Sequence, residues 1–475
     1  MNFKLSNLVA ATLAGSMLMG FGANAMADST TDIVNALVAK GVLTEEEGAL
    51  LTKGRTDEAE GQAKALKKAS KLKVSDAIDN ATVYGDIRVR YEDRQGSGID
   101  ATSNVSTDST KQRNRYKLTL GVKTESGAWY SDLAMAMGAG GRSDNATFGK
   151  SGTATLGDKE ALYIKRAMVG FKATDWLTLE AGRIENPLYT TPMVWDADLT
   201  WEGVVEKAKF KAGDADIFLT AAQAQYRGEY ISFDNATADR TAVGLFAFQG
   251  GAKYAINDHT SAKAAVTYTH ISSNADRSAT NVGKIFSPGT GIAVYATTKG
   301  NGYGTNDLNT IEVPAEINFM AASNVGVRVF GDYAYNTSGD DRAKAAATVS
   351  GATVKVNDNN AWMLGVAVGS AKDFKAFEGN KMAKGDWSAR VWYQDVGAYS
   401  VDANAVDSDF MDSRVNMKGT TFKAQYNFLD NVYANFAYGH ATRKNDKLGA
   451  GGAAADIALN LKDFDLVQLD LTYKF

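Results

Sequence analysis

From Thr82 to the C-terminus, apolar and polar residues alternate with period two. In the first such stretch Val83, Gly85, Ile87, Val89 and Tyr91 share one face, and Tyr84, Asp86, Arg88 and Arg90 share the other. Alternation of this kind places successive side chains on opposite sides of an extended strand. Comparable segments follow at 113–124, 127–137, 160–173, 176–184, 201–211, 215–225, 241–255 and 261–271. Further on come 308–319, 325–335, 361–369, 385–396, 418–428, 431–441 and 464–475, which makes sixteen strands. Segments 160–173 and 201–211 do not show which face is which. Each segment is close to the ~9–11 residues of a tilted membrane-crossing strand.

The connections sharpen this picture. Tight turns are marked by Ser126-Gly127, Thr174-Asp175, Asp214, Asn257 to Thr260, Ser323-Asn324 and Asp430. Between them lie long polar connections near 93–112, 138–159, 185–200, 226–240, 272–307, 336–360, 397–417 and 442–463. Short and long alternate around the chain, with one exception near 370–384 where a short turn is due. An even-stranded membrane barrel with short turns at one end and long loops at the other has this rhythm. The reading is all-β: a sixteen-stranded antiparallel transmembrane β-barrel. Charges fall repeatedly on the face opposite the apolar one. A lipid-facing Arg or Lys at mid-depth costs ~2–4 kcal/mol, so the charged face lines water. A barrel of this size encloses an aqueous channel rather than a packed core.

The N-terminus differs from the rest. Lys4 precedes an apolar run from Leu8 to Phe21, and Ala25-Met26-Ala27 is a small-residue cleavage pattern. Residues 1–27 therefore read as a secretory signal peptide, with the mature chain starting at Asp28 and Ala23-Asn24-Ala25 as a rival site. Residues 28–80 carry a helical pattern and read as a periplasmic extension or a short coiled coil, and 81–475 as the barrel. Composition agrees: of 475 residues 46 are Gly, only 4 are Pro, and Tyr and Phe number 20 each. Cysteine is absent, which excludes disulfides and thiolate metal sites. Three histidines leave little for metal chemistry, and no cofactor is expected. A net charge of −4 gives no reason to expect a nucleic-acid partner.

The chain ends on Val467, Leu469, Leu471, Tyr473 and Phe475 at every second position. This resembles the closing strand of bacterial outer-membrane barrels. The resemblance implies that Tyr473 and Phe475 form an address read by the barrel-assembly machinery. The fifth connection carries a second resemblance. Gly182-Arg183, Asn186-Pro187, Trp195-Asp196-Ala197-Asp198 and Glu202-Gly203 look like the signature of the putative-porin family of proteobacteria. That resemblance implies a homotrimeric channel in the outer membrane of a Gram-negative bacterium, set in lipid and lipopolysaccharide and passing small hydrophilic solutes and ions by passive diffusion. It also implies that the loop at about 185–202 folds inward and narrows the pore.

Two of the four prolines, Pro187 and Pro192, lie in this loop, so it is shaped rather than paired. The alternation turns Arg88, Arg90, Arg115 and Lys117 to the lumen of two neighbouring strands. Arg183, Glu185, Asp196, Asp198 and Glu202 come with the loop. Together these nine residues are the expected constriction, a transverse field across a narrow gap. The other reading of the cations is pairing within the wall with Asp86 and Glu92. A rim hydrolase built on His270 or His440 with Asp276 or Asp446, and a loop-borne adhesin or receptor, are the competing functions. The acidic stretch Asp402 to Asp412 reads as a solvated loop, with calcium binding as its alternative.

Overall fold

A computed structural model describes residues 78–100, 105–138, 143–149, 159–227, 243–272, 308–341, 343, 358–370, 383–446, 448–449, 456–457 and 459–475. The signal peptide and nearly all of the helical extension lie outside these residues, as do Asp276 and most of the connection near 370–384.

The described chain forms one antiparallel sheet. Its first half runs β1 (Asn80–Asp100), β2 (Ser106–Ser126), β3 (Trp129–Gly138), β4 (Ala146–Thr147), β5 (Ala161–Lys172), β6 (Leu177–Glu185), β7 (Thr200–Ala212), β8 (Ala215–Arg227) and β9 (Val243–Asn257). The second half runs β10 (Thr260–Ile271), β11 (Leu308–Glu312), β12 (Ala315–Ala322), β13 (Val325–Asn336), β14 (Asn360–Gly369), β15 (Trp387–Val396), β16 (Met417–Leu429), β17 (Val432–Arg443) and β18 (Leu459–Lys474).

These segments make a closed barrel of sixteen staves. The two-residue β4 pairs with Arg115 and Tyr116 of β2, beyond the point where β3 stops, and so prolongs the β3 stave. β11 and β12 are halves of one stave, both lying between β10 and β13. They part at Val313-Pro314 because proline has no N–H to give the ladder. The Pro314 carbonyl still accepts the Ala265 N–H at 3.1 Å.

The barrel closes where the chain's end meets its first strand. β18 pairs with β1 from Asp86↔Lys474 to Asp100↔Leu459. Gly85 and Phe475 then exchange two backbone hydrogen bonds of 3.0 and 3.1 Å, so no strand edge is left open. A Cβ on Gly85 would lie 2.7 Å from Cζ of Phe475, so this position accepts the terminal ring only because it carries no side chain.

Outward-facing positions are apolar, among them Val83, Ile87, Val89, Leu364, Leu469 and Leu471. Exposed aromatics such as Trp129, Trp176, Trp387, Tyr426 and Tyr473 sit at the short-turn end, where membrane barrels carry an aromatic girdle. The lumen departs from expectation. Instead of water alone, it holds an apolar core on the side lined by β7 to β16. Val205, Ala222, Leu245, Ala247, Phe330, Met363 and Trp392 point inward from the wall and are buried. They are covered by Leu188, Met193, Val194 and Trp195 from one long loop and by Val401, Val406, Phe410 and Met411 from another. Two loops that enter a barrel need apolar surface to settle on, and this wall supplies it.

Candidate pore constriction

Residues 186–199, between β6 and β7, form the first inward loop, loop A. Its turns are internally braced: Asn186 Oδ1 accepts the Leu188 N–H at 3.0 Å, and the Thr191 carbonyl accepts the N–H of Val194 at 3.0 Å and of Trp195 at 2.9 Å. The Asp196 carboxylate accepts the Asp198 N–H at 2.9 Å, which fixes the direction of Asp198. The tip is tied to the far wall. Gln249 of β9 makes two 2.8 Å hydrogen bonds to the backbone of Tyr189, one in each direction. Thr190 and Thr191 donate their hydroxyls to Glu312 of β11 and Asp332 of β13.

Residues 397–416, between β15 and β16, form loop B, and its position corrects the sequence reading. The stretch from Asp402 to Asp412 is not a solvated rim loop. Ser400, Asp402, Asp412, Ser413 and Asn416 are all buried. Loop B meets loop A directly: the Asp196 N–H donates to the Ala405 carbonyl at 2.6 Å, and the Asp407 N–H donates to the Pro192 carbonyl at 3.1 Å. Among the described residues, no group of three or more His, Asp or Glu side chains is arranged to hold a metal ion.

Loop B is seated by charge. Asp412 accepts Arg94 at 2.9 Å and the backbone N–H groups of Asp456 and Ile457 at 2.9 and 3.0 Å. Arg414 lies 3.4 Å from the same carboxylate. Met411, Asp412 and Ser413 have φ near +55°, a left-handed turn that non-glycine residues adopt at a cost of roughly 1–2 kcal/mol each. Such strain persists only where surrounding contacts over-determine it. Asp409 sits against Arg90 at 2.9 Å. Burial alone would raise its carboxyl, but Arg90, Lys423 and Arg94 outweigh this and hold it well below the usual carboxylate range.

The two loops leave a cleft of about 170 Å³ against the β1–β2–β18 wall. Asp196 and Asp198 of loop A and Asp407 and Asp409 of loop B line it on one side. Arg88, Arg90, Lys117, Arg390 and Lys423 line it on the wall side, interspersed with the wall carboxylates Asp86 and Asp470. Asp86, Lys117, Ala197, Asp198 and Lys474 also border a wider cleft of about 700 Å³, which reaches Tyr84 and Phe475 at the short-turn end. Asp198 lies 3.6 Å from Lys165 of β5. Burial would raise its carboxyl, but Lys117, Lys165 and Arg88 prevail and hold it at about 2.

The nine residues expected at the constriction do not all meet there. Arg88, Lys117, Asp196 and Asp198 do. Arg88 also bonds Asn145 at 2.6 Å, and Lys117 stands between Asp86 and Asp144 at 3.9 and 3.8 Å. Arg90 borders the cleft but is buried and bonded to Asp470 at 2.7 Å as well as to Asp409. Arg115 turns to Ser143 and the Asn145 carbonyl at 3.0 and 3.4 Å. Glu185 pairs with Arg166 in the wider cleft.

Arg183 and Glu202 are on the wrong face. They oppose each other on β6 and β7 and pair with each other. Their neighbours Ile184 and Trp201 take the buried lumen side, which turns the ion pair outward. Each lies two positions from the loop end of its strand, at the barrel rim. The rim histidines also face outward, His270 bonded to Asn309 at 2.6 Å and His440 to Asp465 at 2.9 Å.

Sequence reasoning missed Lys165, Arg390, Lys423, Asp407 and Asp409. For the last two the signal was the density of aspartates from Asp402 to Asp412. A loop that lays carboxylates beside a strand rich in lumen-facing arginines invites pairing.

A family profile described as "Putative porin" matches residues 92–305 and 300–475. The chain belongs to that family. It is thus a porin, an outer-membrane β-barrel channel, and the inward loops are parts of a channel wall. Among solved structures this porin is similar to Pseudomonas putida OprB, in a high-pH structure, and to Salmonella typhi OmpF in complex with daunomycin. The first match has a TM-score of 0.46 at 9% identity and covers 83% of this chain and 94% of that one. The second has a TM-score of 0.44 at 12% identity and covers 85% and 99%. A search of curated proteins finds no match.

Proposed function

We propose that this porin passes small hydrophilic solutes and ions passively through a slit between wall cations and loop carboxylates. The supporting observation is the facing of Asp196, Asp198, Asp407 and Asp409 against Arg88, Lys117, Arg390 and Lys423 across one narrow cleft. Opposed charges on rigid supports make a transverse field that orients dipolar solutes and leaves apolar ones without partners. The protein is a channel and not an enzyme. On this reading it is a homotrimer in a bilayer of lipid and lipopolysaccharide, delivered by cleavage after Ala27. The barrel-assembly machinery reads Tyr473 and Phe475, and residues 28–80 are a helical periplasmic extension.

Planar-bilayer recordings under a salt gradient test this. Arg88→Gln with Lys117→Gln should move the reversal potential toward cation preference, and Asp196→Asn with Asp198→Asn should move it the other way. If neither pair moves it, the slit is not the selective constriction.

A further inference from the structure

A second cleft of about 730 Å³ lies beside the tip of loop A, against the inner face of β7 to β10 near the short-turn end. That volume falls within the roughly 300–1,000 Å³ typical of small-ligand sites. Its lining holds five lysines, Lys207, Lys209, Lys211, Lys253 and Lys263, against one acid, Asp216. Lys207 is taken by Glu180 at 2.7 Å, and Lys211 stands 3.9 Å from Asp216. Among the described residues Lys209, Lys253 and Lys263 have no carboxylate within ion-pair distance. Glu316 faces Lys263 across the β10–β12 pair. It is already engaged by Asn318 at 3.1 Å, by Arg328 at 3.9 Å and by the Tyr189 hydroxyl.

Aromatic rings share this cleft with the cations. The Lys263 ammonium stands 3.6 Å from the centre of the Tyr189 ring and 5.4 Å from that of Phe218. Aromatic faces orient an ammonium without cancelling its charge, so they present it rather than consume it. The Tyr189 backbone beneath this ring is held by two hydrogen bonds with the Gln249 side chain, its N–H donating to Oε1 and its carbonyl accepting from Nε2. Lys253 opposes Lys263 on one neighbouring strand and Asp216, which stands beside Lys211, on the other, and Lys209 opposes Phe218. Like charges side by side repel unless an anion joins them. The set therefore offers two or three ammonium donors for one negative group and two ring faces for a flat apolar body.

We infer that this lysine–aromatic cleft is a binding subsite for monocyclic aromatic carboxylates. The carboxylate bridges Lys253 and Lys263, Lys209 adds charge from β7, and the solute ring lies against Phe218 and Tyr189. The inference deepens the channel reading by naming a solute class, and it rests on solutes entering the lumen.

Equilibrium binding of benzoate to the purified full-length barrel in detergent tests the subsite without requiring conduction. Wild type should bind benzoate saturably. Lys253→Gln with Lys263→Gln should raise the half-saturating concentration at least tenfold, and Phe218→Leu should raise it several-fold, both variants keeping the heat-modifiable mobility of a folded barrel. Benzyl alcohol, which has the ring without the charge, should show no saturation. In bilayers, benzoate should reduce the ionic current of wild type at lower concentration than of the lysine variant. Equal benzoate binding by wild type and the lysine variant overturns the site. Acetate or inorganic phosphate binding as tightly as benzoate overturns the aromatic component. Binding without any conductance would leave the subsite standing and defeat the channel reading, whereas conductance without benzoate binding would do the reverse.

Discussion

Loops A and B enter the same lumen and meet at the same slit, but they are held by different physics. Loop A is held mainly by neutral or singly charged hydrogen bonds shared among three partners of its tip, Gln249, Glu312 and Asp332, and by the Trp195–Trp201 ring contact at 5.0 Å. No one of these is indispensable, since a single hydrogen bond contributes about 0.5–1.5 kcal/mol net. Loop B hangs on buried charge concentrated at Asp412, which serves Arg94, Arg414 and two backbone donors at once. A buried ion pair adds little compared with an apolar pair, yet breaking it strands the partner and costs about 3–5 kcal/mol. The lesson is that a loop's position and its vulnerability are separate properties.

The largest expected effect follows from that difference. Asp412→Asn keeps the shape of the side chain but leaves Arg414 buried without this carboxylate and takes one carboxylate from Arg94, which keeps Glu92 at 3.1 Å. Loop B should detach, with single-channel conductance rising at least about twofold and a new protease-sensitive site appearing between Val401 and Val415. Gln249→Ala, which removes one of several ties on loop A, should change conductance far less. If Gln249→Ala opens the pore more than Asp412→Asn, the ranking of the two anchors is reversed and the contrast fails.

The same contrast governs what the sequence could show. The sixteen staves were legible because most strands have lipid on one face and charge on the other, as in Val83 to Tyr91. Loop A was legible because Pro187 and Pro192 announce a shaped segment locally. The local signal in loop B, its density of aspartates, does not name their partners, which lie far away in the chain: Arg90 and Asp409 are 319 positions apart. The facing of 201–211 could not be read because loop A packs Trp201 and Val205 into an apolar core. The first half of this strand puts Trp201 and Val205 on the lumen face and Glu202 and Glu206 on the outer one, the reverse of the usual polarity, so alternation carries no sign. The break at Pro314 was visible as a residue, but a stave can absorb it, as this one does.

An intermediate effect concerns acid. The Asp198 carboxyl is held at about 2 against an ordinary 3.8. A folded-state value below the unfolded one means that its stabilising contribution is complete above about 3.8 and is lost as pH falls through about 2. The slit charge should follow the same course. Reversal potential should stay flat from about pH 7 to about pH 4, where an ordinary exposed carboxylate is already half neutralised, and should drift only on further acidification. In Asp198→Asn this late drift should shrink. A midpoint near pH 4 that vanishes in Asp198→Asn would show that Lys117, Lys165 and Arg88 do not hold this group as the geometry indicates.

The smallest effect separates the slit from the rim. Arg183 and Glu202 carry the same charges as the slit residues and lie within a few positions of loop A. Yet their ion pair points outward, with side chains 40% and 58% exposed. An exposed pair contributes about 0.2–1 kcal/mol, and these exposures place this one at the low end. The pair also has no line of approach to a passing ion, because the β6 and β7 backbones stand between it and the lumen. Arg183→Gln combined with Glu202→Gln should leave reversal potential and conductance within experimental scatter of wild type, while Arg88→Gln combined with Lys117→Gln shifts the potential measurably. The two double variants remove charges from the same barrel, so a difference between them isolates which face the charges occupy. A shift from the rim pair as large as that from Arg88 and Lys117 would mean that long-range potential, rather than position in the slit, sets selectivity.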